Sequence, residues 1–220
     1  MEASEMRILK TTPVLQGIEE KDLEALMSCL GAGRKQYCKG QIILSDGDPV
    51  ALAGVVMEGY IQVISEDAFG NRSILEQLGP GELYGAAFAC ADIKHSPVSL
   101  IAVQDSKVWL IDMKKVLTVC PSVCPFHQQL INNMVYILAR KNVALNEKIT
   151  HISRRSTREK LLSYLSEQSK KAGKAHFTIP FNRQELADYL CVERSAMSAE
   201  LGKLRKEGII DFYKSEFWIN

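Results

Sequence analysis

One helical stretch, Phe126 to Ile152, constrains this chain more than any other feature. Ile131, Val135, Leu138, Asn142, Leu145, Ile149 and Ile152 follow one another in alternating steps of four and three residues. That spacing is a coiled-coil seam sustained for about three heptads. Val135, Asn142 and Ile149 take the a positions, and Ile131, Leu138, Leu145 and Ile152 take d. β-branched residues at a suit a parallel two-stranded pairing, and an Asn at a can set register by pairing with its own copy. A second stripe, Leu130, Met134, Ile137 and Ala144, lies on a neighbouring face and needs a different partner. A helix apolar on two sides should pack on its own domain with one and on a second copy with the other. The expectation is a homodimer; the alternative is a helix buried in a monomer.

No apolar run approaches the roughly 20 residues that span a bilayer, and Met1 to Leu9, with Glu2 and Glu5, has no signal-peptide core. Cys29, Cys38, Cys90, Cys120, Cys124 and Cys191 include no Cys-x-x-Cys pair. Such spacing disfavours a zinc ribbon or a disulfide framework and fits a reducing cytoplasm. No Gly-x-Ser-x-Gly, Walker loop, His-Glu-x-x-His or paired nucleophile and base occurs, so neither catalytic residues nor metal ligands are expected. Charge is uneven although the net is only +1: residues 150–220 hold 13 Lys/Arg against 9 Asp/Glu. The C-terminal part is therefore the half suited to a polyanion.

Residues 19–30 read as an amphipathic helix. From Gly33 to Asp112 the chain becomes short apolar runs, at Ile42–Leu44, Val55–Met57, Tyr60–Ile64, Ile74–Leu75, Leu100–Val103 and Val108–Ile111, separated by Gly- and Asp-containing turns. Many short strands at close spacing predict a compact β-barrel or roll, with Val14 to Ile18 and the long helix closing its open side. Gly79-Pro80-Gly81-Glu82-Leu83-Tyr84-Gly85-Ala86-Ala87-Phe88 interrupts the strands. Its glycines could aim backbone N–H groups into a cavity, and a short helix from Gly85 could meet an anion, but the simpler reading is a turn.

After a break at His151 to Arg155, Ser156-Thr157-Arg158-Glu159 fits a capping box. Leu161, Leu162 and Leu165 supply the buried side of the helix that follows, and Phe177 to Ile179 is a short strand. Asn182 caps a helix through Leu190, with Glu185 three residues on. A turn at Cys191-Val192-Glu193 leads to a second helix, Arg194 to Lys206, with Met197, Leu201 and Leu204 inward and Arg194, Ser195, Ser198, Ala199 and Gly202 outward. Two short helices joined by a three-residue turn are a helix-turn-helix whose slim face can enter a major groove. A hairpin around Lys214-Ser215 adds a wing. A three-helix packing unit without nucleic acid is the alternative.

These motifs resemble the cyclic AMP receptor protein/FNR family of bacterial transcription regulators. The strongest matches are Arg183-Gln184-Glu185-Leu186-Ala187 and Arg194-Ser195-Ala196-Met197-Ser198, with Leu204 and Gly208-Ile209-Ile210. The roll adds Tyr37-x-Lys39-Gly40-Gln41-x-Ile43, Gly47-Asp48, Gly59-x-Ile61-x-Val63 and Gly81-Glu82-Leu83-Tyr84-Gly85. The resemblance runs end to end and implies an α+β chain: a cyclic-nucleotide-binding-like β-roll (double-stranded β-helix or jelly roll) over 1–125, a dimerisation helix over 126–153 and a winged helix-turn-helix over 154–220.

It also implies residue roles. Arg183 and Gln184 would rest on phosphates, Arg194, Ser195 and Ser198 would face base edges, and Lys203 and Lys214 would neighbour phosphates. The effector pocket would comprise Gly81, Glu82, Leu83, Tyr84, Gly85, Ala86, Ala87, His95, Ser96, Val143 and Ala144. Members that bind cyclic AMP carry a Glu where this chain has Ala86, an Arg where it has His95, and two hydroxyl residues where it has Val143 and Ala144. A pocket so altered predicts an unidentified small-molecule or redox effector other than cyclic AMP, and the cysteines do not form the set that holds an iron–sulfur cluster in FNR. In the reader, Ser195 and Ala199 replace an acidic residue and a second base-reading Arg, Cys191 replaces the turn Gly, and Glu193 replaces a Ser N-cap. Expected partners are double-stranded DNA with an inverted repeat, a second copy of the chain and RNA polymerase. The alternative is a ligand-binding module with vestigial DNA binding.

Overall fold

The computed structural model describes residues 3–50, 52–118 and 125–220; Cys120 and Cys124 lie outside them. The chain divides into two compact units, one of residues 1–70 and 75–141 and one of 71–74 and 142–220.

The first unit opens with α1 (Ala3–Thr11), a 3-10 turn (Pro13–Leu15) and α2 (Glu20–Cys29). Eight strands follow: β1 (Gly33–Tyr37), β2 (Ile42–Leu44), β3 (Leu52–Glu58), β4 (Ile61–Glu66), β5 (Arg72–Leu78), β6 (Leu83–Tyr84), β7 (Ser99–Ala102) and β8 (Ser106–Asp112). The short α3 (Ala86–Cys90) separates β6 from β7, and α4 (Met113–Leu117) follows β8. The strands form two four-stranded sheets, ordered β1-β8-β3-β6 and β2-β7-β4-β5. Every pairing resolved between them is antiparallel.

β3 and β8 are buried on both faces, which explains why they read as unbroken apolar runs. Val56 and Val108 enter a cluster with Ile61, Leu78, Leu100 and Ala102 inside the roll. Val55, Met57, Trp109 and Ile111 point the opposite way, against Leu9, Val14, Leu15, Leu23, Leu26 and Leu130 from the helical elements. Side-chain alternation with period two places neighbours in a strand on opposite faces, so two covered faces require apolar residues at every position. Val14 and Leu15 close the roll as expected.

The long helix α5 (Pro125–Ile152) contributes Leu130 and Met134 to that cluster, with Ile137 at its margin. The second stripe therefore packs inside its own unit. Ala144 does not join it and is exposed. Asn133 holds this end of α5, donating to the carbonyls of Val14 (3.0 Å) and Gln16 (2.8 Å).

β1 and β6 have no counterpart among the strands expected from sequence. Gly-Arg-Lys-Gln-Tyr lacks apolar alternation; the segment is extended because its backbone pairs with β8 from Gly33↔Leu110 to Tyr37↔Ser106.

The second unit contains the C-terminal part of α5, then α6 (Thr157–Ala172), β9 (His176–Thr178), α7 (Arg183–Leu190), α8 (Arg194–Lys206), β10 (Ile210–Tyr213) and β11 (Glu216–Ile219). Both expected capping boxes are present in full, Ser156 with Glu159 and Asn182 with Glu185. A small sheet ordered β10-β11-β9 carries the hairpin. Leu161, Tyr164, Leu165, Leu186, Leu190, Met197, Leu201 and Leu204 are buried in this unit.

Candidate DNA-reading surface and effector site

The reader is built by helix ends. α7 terminates at Cys191, whose φ of 51° lies in the left-handed region, where a Cβ costs on the order of 1 kcal/mol relative to glycine. Lys160 Nζ donates to the carbonyls of Leu190 (3.4 Å) and Cys191 (3.2 Å), placing a cation on the negative end of α7. Glu193 is the N-cap of α8 and its side chain makes no capping hydrogen bond, consistent with its being a poorer cap than serine.

On α8, Met197, Leu201 and Leu204 are buried, while Arg194, Ser195, Ser198 and Ala199 are exposed. The outward face is thus narrow, with one long cation at its N-terminal end. Lys203 is exposed and paired with Glu200 at 2.5 Å. Gln184 is turned along its own helix by a 2.8 Å bond to Asp188 Oδ1. Arg183 is less free than its sequence position suggests. Its guanidinium lies 4.6 Å and 5.0 Å from the ring centres of Phe212 and Phe217 in the wing, and burial lowers its pKa. Lys214 occupies the tip of the wing at φ 51°.

The remaining fastenings of the reader lie outside the sequence motif. Arg158 at the start of α6 forms a two-pronged ion pair with Glu207 beyond α8, and Arg205 pairs with Asp211 at 2.8 Å. Tyr164, Phe181 and Tyr189 form a ring cluster with centroid separations of 4.8 to 6.5 Å. No spacing rule marks these pairs, because their members come from different elements.

In the roll, the glycine-rich loop is tied down rather than open. Gly81 N donates to Val56 O (2.8 Å), Glu82 N to Gly79 O (3.1 Å), and Gly79 N to Glu82 Oε2 (2.6 Å). Residues 79–82 of the loop are therefore a hydrogen-bonded turn. Gly85 has φ 76° and precedes α3, which at five residues has little dipole to offer. Leu83 and Tyr84 are buried, with Tyr84 laid across Gly54 so closely that a Cβ there would fall 2.1 Å from its ring. The Tyr84 hydroxyl is buried without a hydrogen-bond partner among the described residues. Ala86 is buried and Ala87 exposed.

His95 Nδ1 lies 2.9 Å from the Gly47 carbonyl. A carbonyl can only accept, so Nδ1 carries the hydrogen. Ser96 is buried, and its hydroxyl is occupied by Val98, donating to O at 2.6 Å and accepting from N at 3.3 Å. Val143 and Ala144 belong to the second unit and are exposed.

Along α5, four of the seven positions expected to form the seam are exposed. Val135, Leu145 and Ile149 are 63%, 51% and 57% exposed, too much for three core-type residues on one stripe to be accounted for by the chain's own packing. Asn142 is exposed beside them and accepts from Asn146 Nδ2 at 3.0 Å. Ile131, Leu138 and Ile152 are half-buried.

Residues 34–122 match the cyclic nucleotide-binding domain family and residues 159–220 the Crp-like helix-turn-helix domain family. A curated cyclic AMP receptor protein from Thermus thermophilus is 22% identical over 202 residues, covering 92% of this chain and 89% of that protein. Among solved structures, the c-di-GMP responsive global regulator CLP of Xanthomonas campestris superimposes with a TM-score of 0.75 at 17% identity. It covers 91% of this chain and 99% of CLP. FixK2 from Bradyrhizobium japonicum gives 0.67 at 18% identity, covering 86% of this chain and 92% of its own. The fold and family are those of transcription regulators, not of enzymes. The chain belongs to the cyclic AMP receptor protein/FNR family: it is a DNA-binding transcription regulator with an effector-binding domain.

Proposed function

We propose that this regulator acts in the cytoplasm as a homodimer. Residues 1–125 would sense a small molecule or redox signal, residues 126–153 would pair through the seam from Ile131 to Ile152, and residues 154–220 would read DNA. The observation that carries this reading is the two-sided α8, with Met197, Leu201 and Leu204 sealed inside and Arg194, Ser195 and Ser198 turned out. Gln184, Lys203 and Lys214 supply phosphate contacts at its margins. Arg183, stacked on Phe212, serves as a fixed cation more than a searching one. RNA polymerase is a further proposed partner.

Selection from random duplexes tests the assignment. Two symmetric readers should enrich an inverted repeat with half-site centres about 34 Å apart, roughly one helical turn. Enrichment of nothing would favour the ligand-binding module with vestigial DNA binding.

The effector we propose is not cyclic AMP. A buried cyclic phosphate needs a fixed cation, without which desolvation costs several kcal/mol. His95 is tied through Nδ1 to the Gly47 carbonyl, Ala86 cannot accept a sugar hydroxyl, and the Ser96 hydroxyl is already engaged. Titration of cyclic AMP or cyclic GMP at pH 7.5 should give no binding heat at about millimolar concentration, a level at which even a weak complex worth about 4 kcal/mol would half-fill. Micromolar binding would sink this part of the reading.

A further inference from the structure

Lys148, on α5, is only 5% exposed. Its ammonium donates to the Ile74 carbonyl and lies 4.5 Å from the centre of the Tyr189 ring. Among the described residues no carboxylate pairs with it. Burial lowers its pKa to about 8, an effect partly opposed by the nearby Cys191 side chain. A buried cation held by one carbonyl and one aromatic face stabilises less than a methionine of similar volume would. Its usefulness must therefore lie in what it joins.

Ile74 and Tyr189 both belong to the second compact unit, which takes in residues 71–74 along with 142–220. Ser73 Oγ also lies 3.7 Å from Cys191 Sγ, in the turn after α7. Yet residues 72–74 are the first three of β5, and the same strand continues to Leu78 within the β2-β7-β4-β5 sheet. We propose that Lys148 is a coupling residue, fastening the start of β5 to α7 so that a shift of that strand reaches the turn that aims α8. Both of its contacts are directional, and a movement of the Ile74 carbonyl changes the position of the ammonium beneath Tyr189. The consequence for DNA rests on the functional reading above; the coupling itself does not.

Hydrogen exchange on the full-length, DNA-free protein tests it, using Lys148→Met, which keeps the stem but loses the charge, and Lys148→Arg, which keeps charge and donors. In Lys148→Met, exchange at the amides of residues 74–76 and of 189–192 should accelerate together, by roughly tenfold. Lys148→Arg should stay near the parent protein. Acceleration on one side alone, none at all, or equal acceleration in both variants would overturn the proposal. Among the described residues the titratable groups facing the ammonium are Tyr189 and Cys191, so a second series runs from pH 7 to 9.5 with intrinsic rates corrected. The parent and Cys191→Ser should loosen at both segments as pH rises, while Lys148→Met should not respond further. Loosening that persists in Lys148→Met and vanishes in Cys191→Ser would assign the transition to the thiol and refute the coupling role. A parent chain that selects no DNA would remove the functional reading while leaving the exchange comparison decisive for the coupling.

Discussion

Ile149→Asp is expected to leave the chain monomeric and, through that, to abolish tight binding to a two-half-site duplex. Ile149 is an a-position residue on the exposed stripe of α5, with Leu145 beside it. In a parallel pair each a residue meets its own copy, so the substitution removes two isoleucines from the interface and sets two carboxylates against each other. Loss of buried aliphatic surface on both sides and the charge repulsion act together. Dimer dissociation should rise by roughly three orders of magnitude or more, corresponding to at least about 4 kcal/mol. Sedimentation equilibrium reads the mass and fluorescence anisotropy reads the DNA. The fold of each protomer should survive, because Leu130 and Met134, which anchor α5 in its own unit, are on the other stripe. An Ile149→Asp protein that sediments as the parent does would show that the exposed stripe is not the seam.

Arg194→Ala should weaken binding to the selected site by about 1–3 kcal/mol, a loss of roughly 5- to 150-fold, and relax preference at one base pair in each half-site. Arg194 stands at the N-terminal end of α8 with its side chain exposed, where a guanidinium can bond guanine O6 and N7 together. The surrounding face is small, since Ser195, Ser198 and Ala199 extend little, and Arg205, the other arginine of α8, is paired with Asp211. Most direct readout should therefore fall on this one residue. The comparison is a selection profile for the variant against that of the parent. Uniform weakening over all sequences would place Arg194 on phosphate instead, because phosphate contacts carry no sequence information.

Short-range devices were plain in the sequence. Ser156 with Glu159 and Asn182 with Glu185 act across three residues, and their boxes close in the structure as read. The left-handed turn at Cys191 follows from where a helix must stop, and it carries positive φ despite its side chain. Burial on α8 follows the spacing of Met197, Leu201 and Leu204, since a helix interior can be read from period alone. The effector domain was legible in outline through its apolar runs and turn glycines. Its polar edge was not: β1 has no apolar pattern and exists through its ladder with β8.

The site chemistry divides the same way. The sequence by itself determined the family, the helix-turn-helix, the outward Arg194 and the substitutions at Ala86 and His95, because these depend on residue type and local spacing. Tertiary structure decided which nitrogen of His95 holds its proton, through a carbonyl 48 positions away. It decided that Arg183 is stacked on the wing rather than free. It also buried Lys148, by bringing Ile74 and Tyr189 onto it from both directions along the chain. Hydrogen-bond direction and the burial of a charge depend on groups distant in sequence, which no local pattern encodes.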